Sequence, residues 1–371
     1  MNRAPEQIFD LLLSQAPRLC WKWFSENAMG AISLLEAAER TAPHSKVAKG
    51  LIEQFGDNSI RSKSQDLLSS CADKGIQVVT WSSADYPTLL RPIYRPPLAL
   101  FIRQGEANCI SLLNSPSVAI VGSRKADSSG VVIAEQLSRE VAQAGLTVIS
   151  GLAVGIDAAA HRGALNAKGK TIAVFGHGLD YLYPASHEGL AAEILKSGGM
   201  LVSQFSPDKP PLPAYFLERN RVIAGLSRAV VVVQATARSG SLATARFGLE
   251  EGREILVAPG AIDDPRYEGS NALLKQGAGL VTNAGDILSI FPEIKTSSPE
   301  DCAKDRRSAA AQECAIVSYL RENGPTRYEE IRQNFGNSAD FETELLNLEL
   351  GGVLERLPGN LLAAPQGIRH G

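Results

Sequence analysis

Hydrophobic positions follow two alternating patterns through the middle of the chain, from residue 117 to about residue 291. Short runs of apolar, largely β-branched residues alternate with longer segments in which apolar residues recur at helical spacing. The clearest run, residues 229–233, is too short for a helix and apolar throughout, as expected of a strand buried on both faces. The alternation predicts an α/β fold with a doubly wound parallel sheet, whose ligands bind at the carboxyl ends of the strands.

The same pattern gives bounds for the elements of this sheet. The predicted strands are residues 117–121, 146–150, 171–175, 200–203, 229–233 and 254–258. The predicted helices are residues 130–144, 155–168, 187–196, 242–251 and 269–276. Together they predict an extended Rossmann-like domain over residues 117–291, longer than a minimal dinucleotide-binding unit.

The regions that flank the sheet have different patterns. Residues 1–65 indicate short helices and a small helical domain, and residues 66–116, which include a proline-rich stretch, predict a connector leading into the sheet. Residues 292–308 are polar, charged and bounded by proline, which is typical of a linker. In residues 309–365, predicted helices at 309–322, 326–335 and 339–350 precede a hairpin at 351–363, an order that predicts a winged helix.

Composition and charge restrict the class of protein. An apolar content of 44% and a charged content of 21% are ordinary for a globular protein, and the net charge of -3 requires any nucleic-acid binding to use a local basic face. The five cysteines form no CxxC pair, which argues against a zinc ribbon or disulfide framework. With no apolar run near the ~20 residues of a membrane span and no signal-peptide pattern, we expect a cytoplasmic protein without a membrane partner.

A local basic face is predicted between residues 209 and 246, which hold six basic residues and one acidic residue. The tripeptide Arg219-Asn220-Arg221 precedes the strand at 229–233, and Ser239-Gly240-Ser241 follows that strand and opens a helix. A turn of this kind leaves backbone N–H groups and hydroxyls free to bind an anion. This stretch is therefore predicted to bind phosphate.

Three glycine-rich turns reinforce this prediction, because each one joins a predicted strand to a predicted helix. They are Gly122-Ser123-Arg124, the segment 151–157 and the segment 176–178. Backbone N–H groups at such junctions can face an anion, although any one of these turns could equally be a tight turn of an α/β fold. The third turn fails the dinucleotide fingerprint, because Tyr181 stands where the last glycine is required.

No pattern in the chain predicts catalysis, a metal or a cofactor. The chain lacks G-x-x-x-x-G-K-[ST], G-x-S-x-G and H-E-x-x-H, and its histidines lack metal-ligand spacing. Asp157 and His161 stand four residues apart on a predicted helix and could hydrogen-bond, but such a pair more often serves packing at a helix end. The sequence therefore offers poor options for a catalytic site.

Six spaced motifs carry a resemblance to a known family: VAIVGSR, SGLAVGIDAAAH, IAVFGHGLDYLYP, RNRVIAGLS, SGSLATA and EGREILVAPG. In this order, over roughly residues 80–290, they resemble the DNA-processing protein A family (DprA, also called Smf). The resemblance implies a small helical (SAM-like) N-terminal domain, an extended Rossmann fold and a C-terminal winged helix. It also implies binding of single-stranded DNA, homodimerisation, and protection and delivery of incoming DNA to the RecA recombinase during natural transformation. It further implies no catalytic turnover, so we expect the protein not to be an enzyme.

The resemblance also implies which residues contact the DNA. The predicted set is Gly122, Ser123, Arg124, Gly151, Phe216, Arg219, Asn220, Arg221, Ser239, Gly240, Ser241 and Asn271. The chain departs from the family pattern at Leu217, where proline is usual, and at Gln204 and Gln234, where glutamate is usual. Loss of two carboxylates near a phosphate site should favour anion binding, if it has any effect. A structural alternative for Arg219 and Arg221 is that they brace the loop against nearby carbonyls.

Two other functions are weighed against this one. A nucleotide phosphoribohydrolase of the Rossmann type would require P-G-G-x-G-T-x-x-E, but the equivalent turn, residues 239–244, lacks the glutamate. A transcription regulator would read DNA with the predicted helix at 339–350, which carries four acidic residues and no Arg or Lys. The winged helix is therefore expected to contact protein.

Overall fold

The computed structural model describes residues 4–14, 23–24, 33–105, 109–294, 315–335, 341, 345, 348–349, 354–357 and 359–364. The chain divides into two compact units, Met1–Lys295 and Thr296–Gly371. None of the helices in these ranges is long and apolar enough to cross a membrane.

A mixed sheet forms the centre of the first unit. Its strands are β1 (Ile76–Thr80), β2 (Ala99–Gln104), β3 (Ser117–Val121), β4 (Thr147–Ser150), β5 (Thr171–Phe175), β6 (Met200–Ser203), β7 (Ala229–Val232), β8 (Glu254–Val257) and β9 (Gly279–Leu280). Their spatial order is β1-β2-β6-β5-β4-β3-β7-β8-β9 in the described part of the chain. In this spatial order, the seven strands that run from β6 across to β9 are all parallel to one another. The six of them that the sequence predicted lie within one residue of their predicted bounds.

One edge of the sheet is antiparallel, which corrects the prediction of a purely parallel sheet. Strand β2 pairs antiparallel with β6, and β1 pairs antiparallel with β2, with Val78 opposite Phe101. The segment 66–116 is thus more than a connector, because it supplies both strands. The sequence pattern missed β2 because the run Ala99–Gln104 directly follows a proline-rich stretch, which indicated a surface segment.

Helices cover both faces of the sheet. In chain order they are α1 (Ala4–Ser14), α2 (Leu34–Thr41), α3 (Lys46–Gly56), α4 (Asn58–Asp73), α5 (Ser128–Gln143), α6 (Ile156–Asn166), α7 (Glu188–Lys196), α8 (Pro213–Leu226), α9 (Ser241–Glu250), α10 (Glu268–Lys275) and α11 (Ala284–Leu288). Helix α8 is not predicted by the hydrophobic pattern of the sequence. This helix buries Arg219 together with apolar residues, so its pattern has no clear apolar stripe.

Successive strand residues point to opposite faces, and each face has its own core. Val118 and Ile120 of β3 belong to a cluster formed with α5 and α6. Ala119 and Val121 of the same strand belong to a second cluster, which includes α8 and the N-terminal residues Phe9, Leu34 and Trp81. The N-terminal helices therefore share a hydrophobic core with the sheet, and the domain boundary at residue 65 stays a prediction.

The second unit contains α12 (Ala315–Asn323), β10 (Thr326–Arg327), α13 (Tyr328–Phe335), β11 (Glu355–Leu357) and β12 (Leu361–Ala363). Its strands form an antiparallel sheet in the order β10-β12-β11, which includes the predicted hairpin. Thr326 and Arg327 form β10, so the helix predicted at 326–335 begins at Tyr328. Residues 295–308 of the predicted linker and most of the predicted helix 339–350 lie outside the described residues. The winged helix stays a prediction.

Candidate nucleic-acid interface

The candidate site lies where the strand order of the sheet reverses direction. From β3 the chain adds β4, β5 and β6 on one side, and it then returns to place β7 on the other side of β3. The connections that leave the carboxyl ends of β3 and β7 diverge, which opens a crevice between them. A cleft of about 730 Å³ occupies this position.

The cleft brings together most of the predicted DNA-contacting residues. Those that line it are Gly122, Ser123, Arg124, Phe216, Arg219, Asn220, Ser239, Gly240 and Ser241. Gly151, Arg221 and Asn271 do not line it. Residues that are distant in the sequence meet here because β3 and β7 are adjacent in the sheet.

The turn after β3 is held firmly and presents an exposed cation. The Ser123 N–H donates to the Gln234 carbonyl over 2.7 Å, and the Lys125 N–H donates to the Ser123 hydroxyl over 3.0 Å. The Arg124 side chain is exposed, and its Cζ lies 5.3 Å from the ring centroid of Phe216. Among the described residues no carboxylate forms an ion pair with Arg124. Its charge is therefore available to a ligand.

Gly122 has a steric role in this turn. A Cβ at this position would lie 2.6 Å from Ile156 Cγ1 and 2.9 Å from the Gln234 carbonyl oxygen. Only glycine lets the backbone of the turn approach both α6 and the end of β7 so closely.

The opposite wall of the cleft is the turn that opens α9. The hydroxyls of Ser239 and Ser241 lie 2.7 Å apart, and Asn220 donates its side-chain N–H to the Gly240 carbonyl over 3.2 Å. The amino end of α9 carries the positive end of the helix dipole, which favours an anion. The hydrogen bond from Asn220 to Gly240 also connects α8 to this wall of the cleft.

The second glycine-rich turn binds an internal carboxylate, which corrects the prediction that it faces a phosphate. The N–H groups of Gly151 and Ala153 donate to Asp157 Oδ2 over 3.2 and 3.4 Å. Burial raises the pKa of Asp157, and attraction to the nearby Arg219 guanidinium offsets part of this rise. Asp157 therefore occupies the donors that an external anion would need.

The third glycine-rich turn also serves packing and does not line the cleft. The Gly178 N–H donates to the Lys209 carbonyl over 2.8 Å, and a Cβ on Gly176 would lie 2.7 Å from the ring of Phe216. The second turn lines the cleft through Ala153 and Asp157, but its N–H groups are engaged, so the first turn is the one placed to bind an anion.

Arg219 lines the cleft but is buried at its bottom. It is 4% exposed and donates to the carbonyls of Gly151, over 2.7 Å, and Val174. Burial lowers the pKa of Arg219 to about 10, which leaves it charged at neutral pH. A Cβ on Gly151 would collide with this guanidinium, which explains the glycine. These contacts match the structural alternative for Arg219, in which its guanidinium braces nearby backbone carbonyls.

Arg221 and Asn271 lie away from the cleft and hold other segments. Arg221 donates to the Tyr94 carbonyl over 2.9 Å, and its Cζ lies 4.7 Å from the ring centroid of Phe247. The Asn271 side chain exchanges two hydrogen bonds with the backbone of Gly260. Of the three arginines in the predicted DNA-contacting set, Arg124 is therefore the one that lines the cleft and is exposed.

Two further cations line the cleft, Lys125 and Arg266, and neither was predicted from the sequence. Lys125 is exposed and directly follows the Gly122-Ser123-Arg124 turn, so its position in the sequence could have indicated it. Arg266 pairs with Asp127 over 2.8 Å and with Asp264 over 2.6 Å. Its charge is thus largely neutralised, which leaves Arg124 and Lys125 as the cations best placed for a phosphate.

The structure does not join Asp157 and His161 as a pair. Asp157 accepts hydrogen bonds from the second turn, whereas His161 Nδ1 lies 2.7 Å from the Thr171 hydroxyl. Burial lowers the pKa of His161 to about 3, so the imidazole is neutral. Within the described ranges no group of three or more His, Cys, Asp or Glu side chains could hold a metal.

Residues 77–292 match the model of a protein family described as DNA recombination-mediator protein A. The chain belongs to this family. Its relatives include the protein Smf of Escherichia coli K12, 39% identical over 285 residues that cover 74% of each chain. They also include the DNA processing protein DprA of Bacillus subtilis, 36% identical over 283 residues that cover 76% of this chain and 92% of the relative. The resemblance carried by the six motifs is confirmed.

Solved structures of the DNA recombination-mediator protein A family share the fold. The DprA structure from Streptococcus pneumoniae is similar with a TM-score of 0.60 and 33% identity, covering 77% of this chain and 97% of the other. A Helicobacter pylori DprA structure, described as showing a unique single-stranded DNA binding mode, gives a TM-score of 0.52 at 29% identity. It covers 58% of this chain and 96% of the other.

Gln234, one of the positions where the resemblance implied a departure from the family pattern, lies directly beneath the turn after β3. Gln234 is fully buried, and its side-chain oxygen accepts from the Asp127 N–H over 3.2 Å. In the part of the chain that the structure describes, its Nε2 has no hydrogen-bond partner. A neutral amide therefore stands below the Ser123 turn, where a glutamate would bring a negative charge close to the anion site.

Proposed function

We propose that this chain binds single-stranded DNA in the cleft between the carboxyl ends of β3 and β7. The observation that carries this proposal is Arg124, an exposed cation without an ion-pair partner among the described residues, on a turn fixed by backbone hydrogen bonds. Lys125 beside it and the amino end of α9 across the cleft favour an anion at the same position. Phosphate is the anion that these groups fit.

The shape of the site favours a single strand over a duplex. The phosphate-binding groups lie in a concave cleft whose wall includes the Phe216 ring, whereas duplex readers fill a groove with a protruding helix. Cations together with aromatic rings are typical of proteins that bind unpaired strands. The Helicobacter pylori relative binds single-stranded DNA according to its description, which supports the same ligand here.

Membership of the family supports a proposal for the cellular role. We propose that the chain, as a homodimer in the cytoplasm, protects incoming DNA and delivers it to the RecA recombinase during natural transformation, without catalytic turnover. The Bacillus subtilis and Streptococcus pneumoniae relatives are named DNA processing proteins, which supports this assignment.

The phosphoribohydrolase alternative is disfavoured by the lining of the cleft. Asp157 is the one carboxylate among the residues described as lining it, and this group is already bound to two backbone N–H groups. The turn at residues 239–244 offers no glutamate in its place. A hydrolase would require a carboxylate that is free to act as a general base.

The direct test titrates the full chain with a fluorescent oligothymidylate and with a duplex of equal length, at two or more salt concentrations. We expect tighter binding of the single strand and affinity that falls as salt rises. Equal or tighter binding of the duplex would contradict the proposal. Release of free base from nucleoside monophosphates by the purified chain would favour the hydrolase.

A further inference from the structure

Aromatic side chains continue the cleft beyond Arg124. The Tyr183 ring centroid lies 5.6 Å from that of Phe216, which in turn lies 5.3 Å from Arg124 Cζ. Tyr183 is 49% exposed although it is a large aromatic residue. A guanidinium and two rings therefore form a row that begins at the proposed phosphate site and ends in solvent.

The segment that carries Tyr183 is held in place on both sides. The buried His177 hydrogen-bonds to the backbone of Gly178, over 3.0 Å, and of Tyr183. The buried His187 lies after it, with Nδ1 2.9 Å from the Leu152 carbonyl. These bonds fix the backbone around Tyr183, so the exposure of its ring is a property of the folded protein.

The chemistry of this row fits one kind of occupant. A flat ring next to a cation suits a group that carries both a π face and a negative charge, and a nucleotide of an unpaired strand carries both. A protein partner would be expected to use a wider apolar surface, whereas this row begins at the exposed Arg124 guanidinium. The row is also continuous with the cleft, because Phe216 lines the cleft and contacts Tyr183.

We propose that the exposed face of Tyr183, beside Phe216, is a stacking site for unpaired nucleobases of the strand whose phosphate lies at Arg124. This inference rests on the proposed function and adds a residue to its site. Stacking needs a base that is free of its complement, so the Tyr183 site discriminates against duplex DNA. Its affinity should not depend on the base sequence, because each base has a π face.

The test compares Tyr183→Ala, Tyr183→Phe and Tyr183→Trp with the parent chain. The ligands are an oligothymidylate and an abasic strand of equal length, which keeps the phosphates and lacks the bases. Tyr183→Ala is expected to weaken oligothymidylate binding about five-fold or more and to leave abasic binding unchanged. Tyr183→Phe and Tyr183→Trp are expected to retain affinity, because both keep a ring. Tyr94→Ala, at a tyrosine that is 60% exposed and outside the cleft lining, is the matched control.

A second measurement keeps the test decisive if Tyr183→Ala folds poorly. Tyr183→Trp adds an indole whose fluorescence can be measured as the difference from the parent chain. We expect this added fluorescence to fall when oligothymidylate binds and to stay constant when the abasic strand binds. Equal affinity of a folded Tyr183→Ala variant for oligothymidylate, or no base-dependent change in this fluorescence, would overturn the inference. Failure of the parent chain to bind oligothymidylate would instead overturn the proposed function.

Discussion

Arg124 and Arg219 both line the cleft, yet their charges have different environments. Arg124 stands in solvent on a fixed turn, and Arg219 lies beneath it with its N–H groups bound to carbonyls at the ends of β4 and β5. The sequence alone could not separate these roles, because both residues stand beside short polar motifs. Burial decides the difference, and burial of Arg219 depends on α8, whose helical pattern is weak.

Replacement of Arg219 should therefore affect stability before it affects binding. Arg219→Ala leaves the Gly151 and Val174 carbonyls and the Asp157 carboxylate without their cation, so we expect the free energy of unfolding to fall by about 3–5 kcal/mol. Thermal or urea unfolding measures this loss, with Arg139→Ala, at an exposed residue of α5, as the control. An Arg219→Ala variant as stable as the parent would show that this guanidinium does not brace the sheet.

Elements that were predicted well are those whose burial is uniform along the chain. Strands β3, β5 and β6 match their predicted bounds, because each is a short apolar run covered on both faces. The first glycine-rich turn was found for a related reason, since a turn after a buried strand must lie at the sheet edge. The pairing of β1 and β2, and the use of the second turn by Asp157, depend on contacts between distant residues that no local pattern contains.

The contact between α1 and the end of β1 adds a prediction about pH. Asp10 of α1 accepts from the Ser82 N–H over 2.8 Å and from its hydroxyl over 3.0 Å, and burial raises the pKa of Asp10 to about 7. A raised folded pKa means that the folded state binds the proton more tightly. Asp10 therefore stabilises the fold at acid pH and loses this contribution as pH rises through 7.

Between pH 8 and pH 6 we expect Asp10 to add about 1 kcal/mol to the free energy of unfolding. Asp10→Asn, which imitates the protonated side chain, should remove this part of the pH dependence. Urea titrations of both proteins at the two pH values give the comparison. An unchanged pH dependence in Asp10→Asn would place the titration elsewhere.

At the scale of the molecule, the shared core determines which fragment can carry the site. Phe9, Leu34 and Trp81 pack in one cluster with Val121 and Val232 of the central sheet. A fragment of residues 80–291 would lack Phe9 and Leu34 of this core and all but the last residue of β1. Residues 1–295, in contrast, form one compact unit. We expect the 1–295 fragment to bind oligothymidylate with the affinity of the full chain, as measured by fluorescence anisotropy. Loss of binding in a folded 1–295 fragment would assign part of the site to the second unit.

Dimerisation is the second prediction at this scale, and it requires an exposed apolar surface. In residues 256–262, Leu256 and Val257 are buried, and Ile262 is the large apolar residue that this segment exposes. The edge strand β9 instead exposes 53% of Leu280, and unprotected sheet edges favour pairing between chains. Leu280→Lys should convert the dimer expected in sedimentation experiments to a monomer. A parent chain that sediments as a monomer at micromolar concentration would contradict the dimer itself.

The central claim, phosphate binding at the turn after β3, is tested most directly by the salt dependence of Arg124→Ala. The slope of log K against log salt for oligothymidylate falls by about 0.7 for each phosphate contact that is lost. We expect Arg124→Ala to lose about this much slope and to bind more weakly, while its thermal unfolding matches that of the parent. Arg124→Lys should recover most of the slope and only part of the affinity, because lysine keeps the charge without the planar fork. An Arg124→Ala protein that melts normally and keeps the parent's affinity and slope would contradict the account.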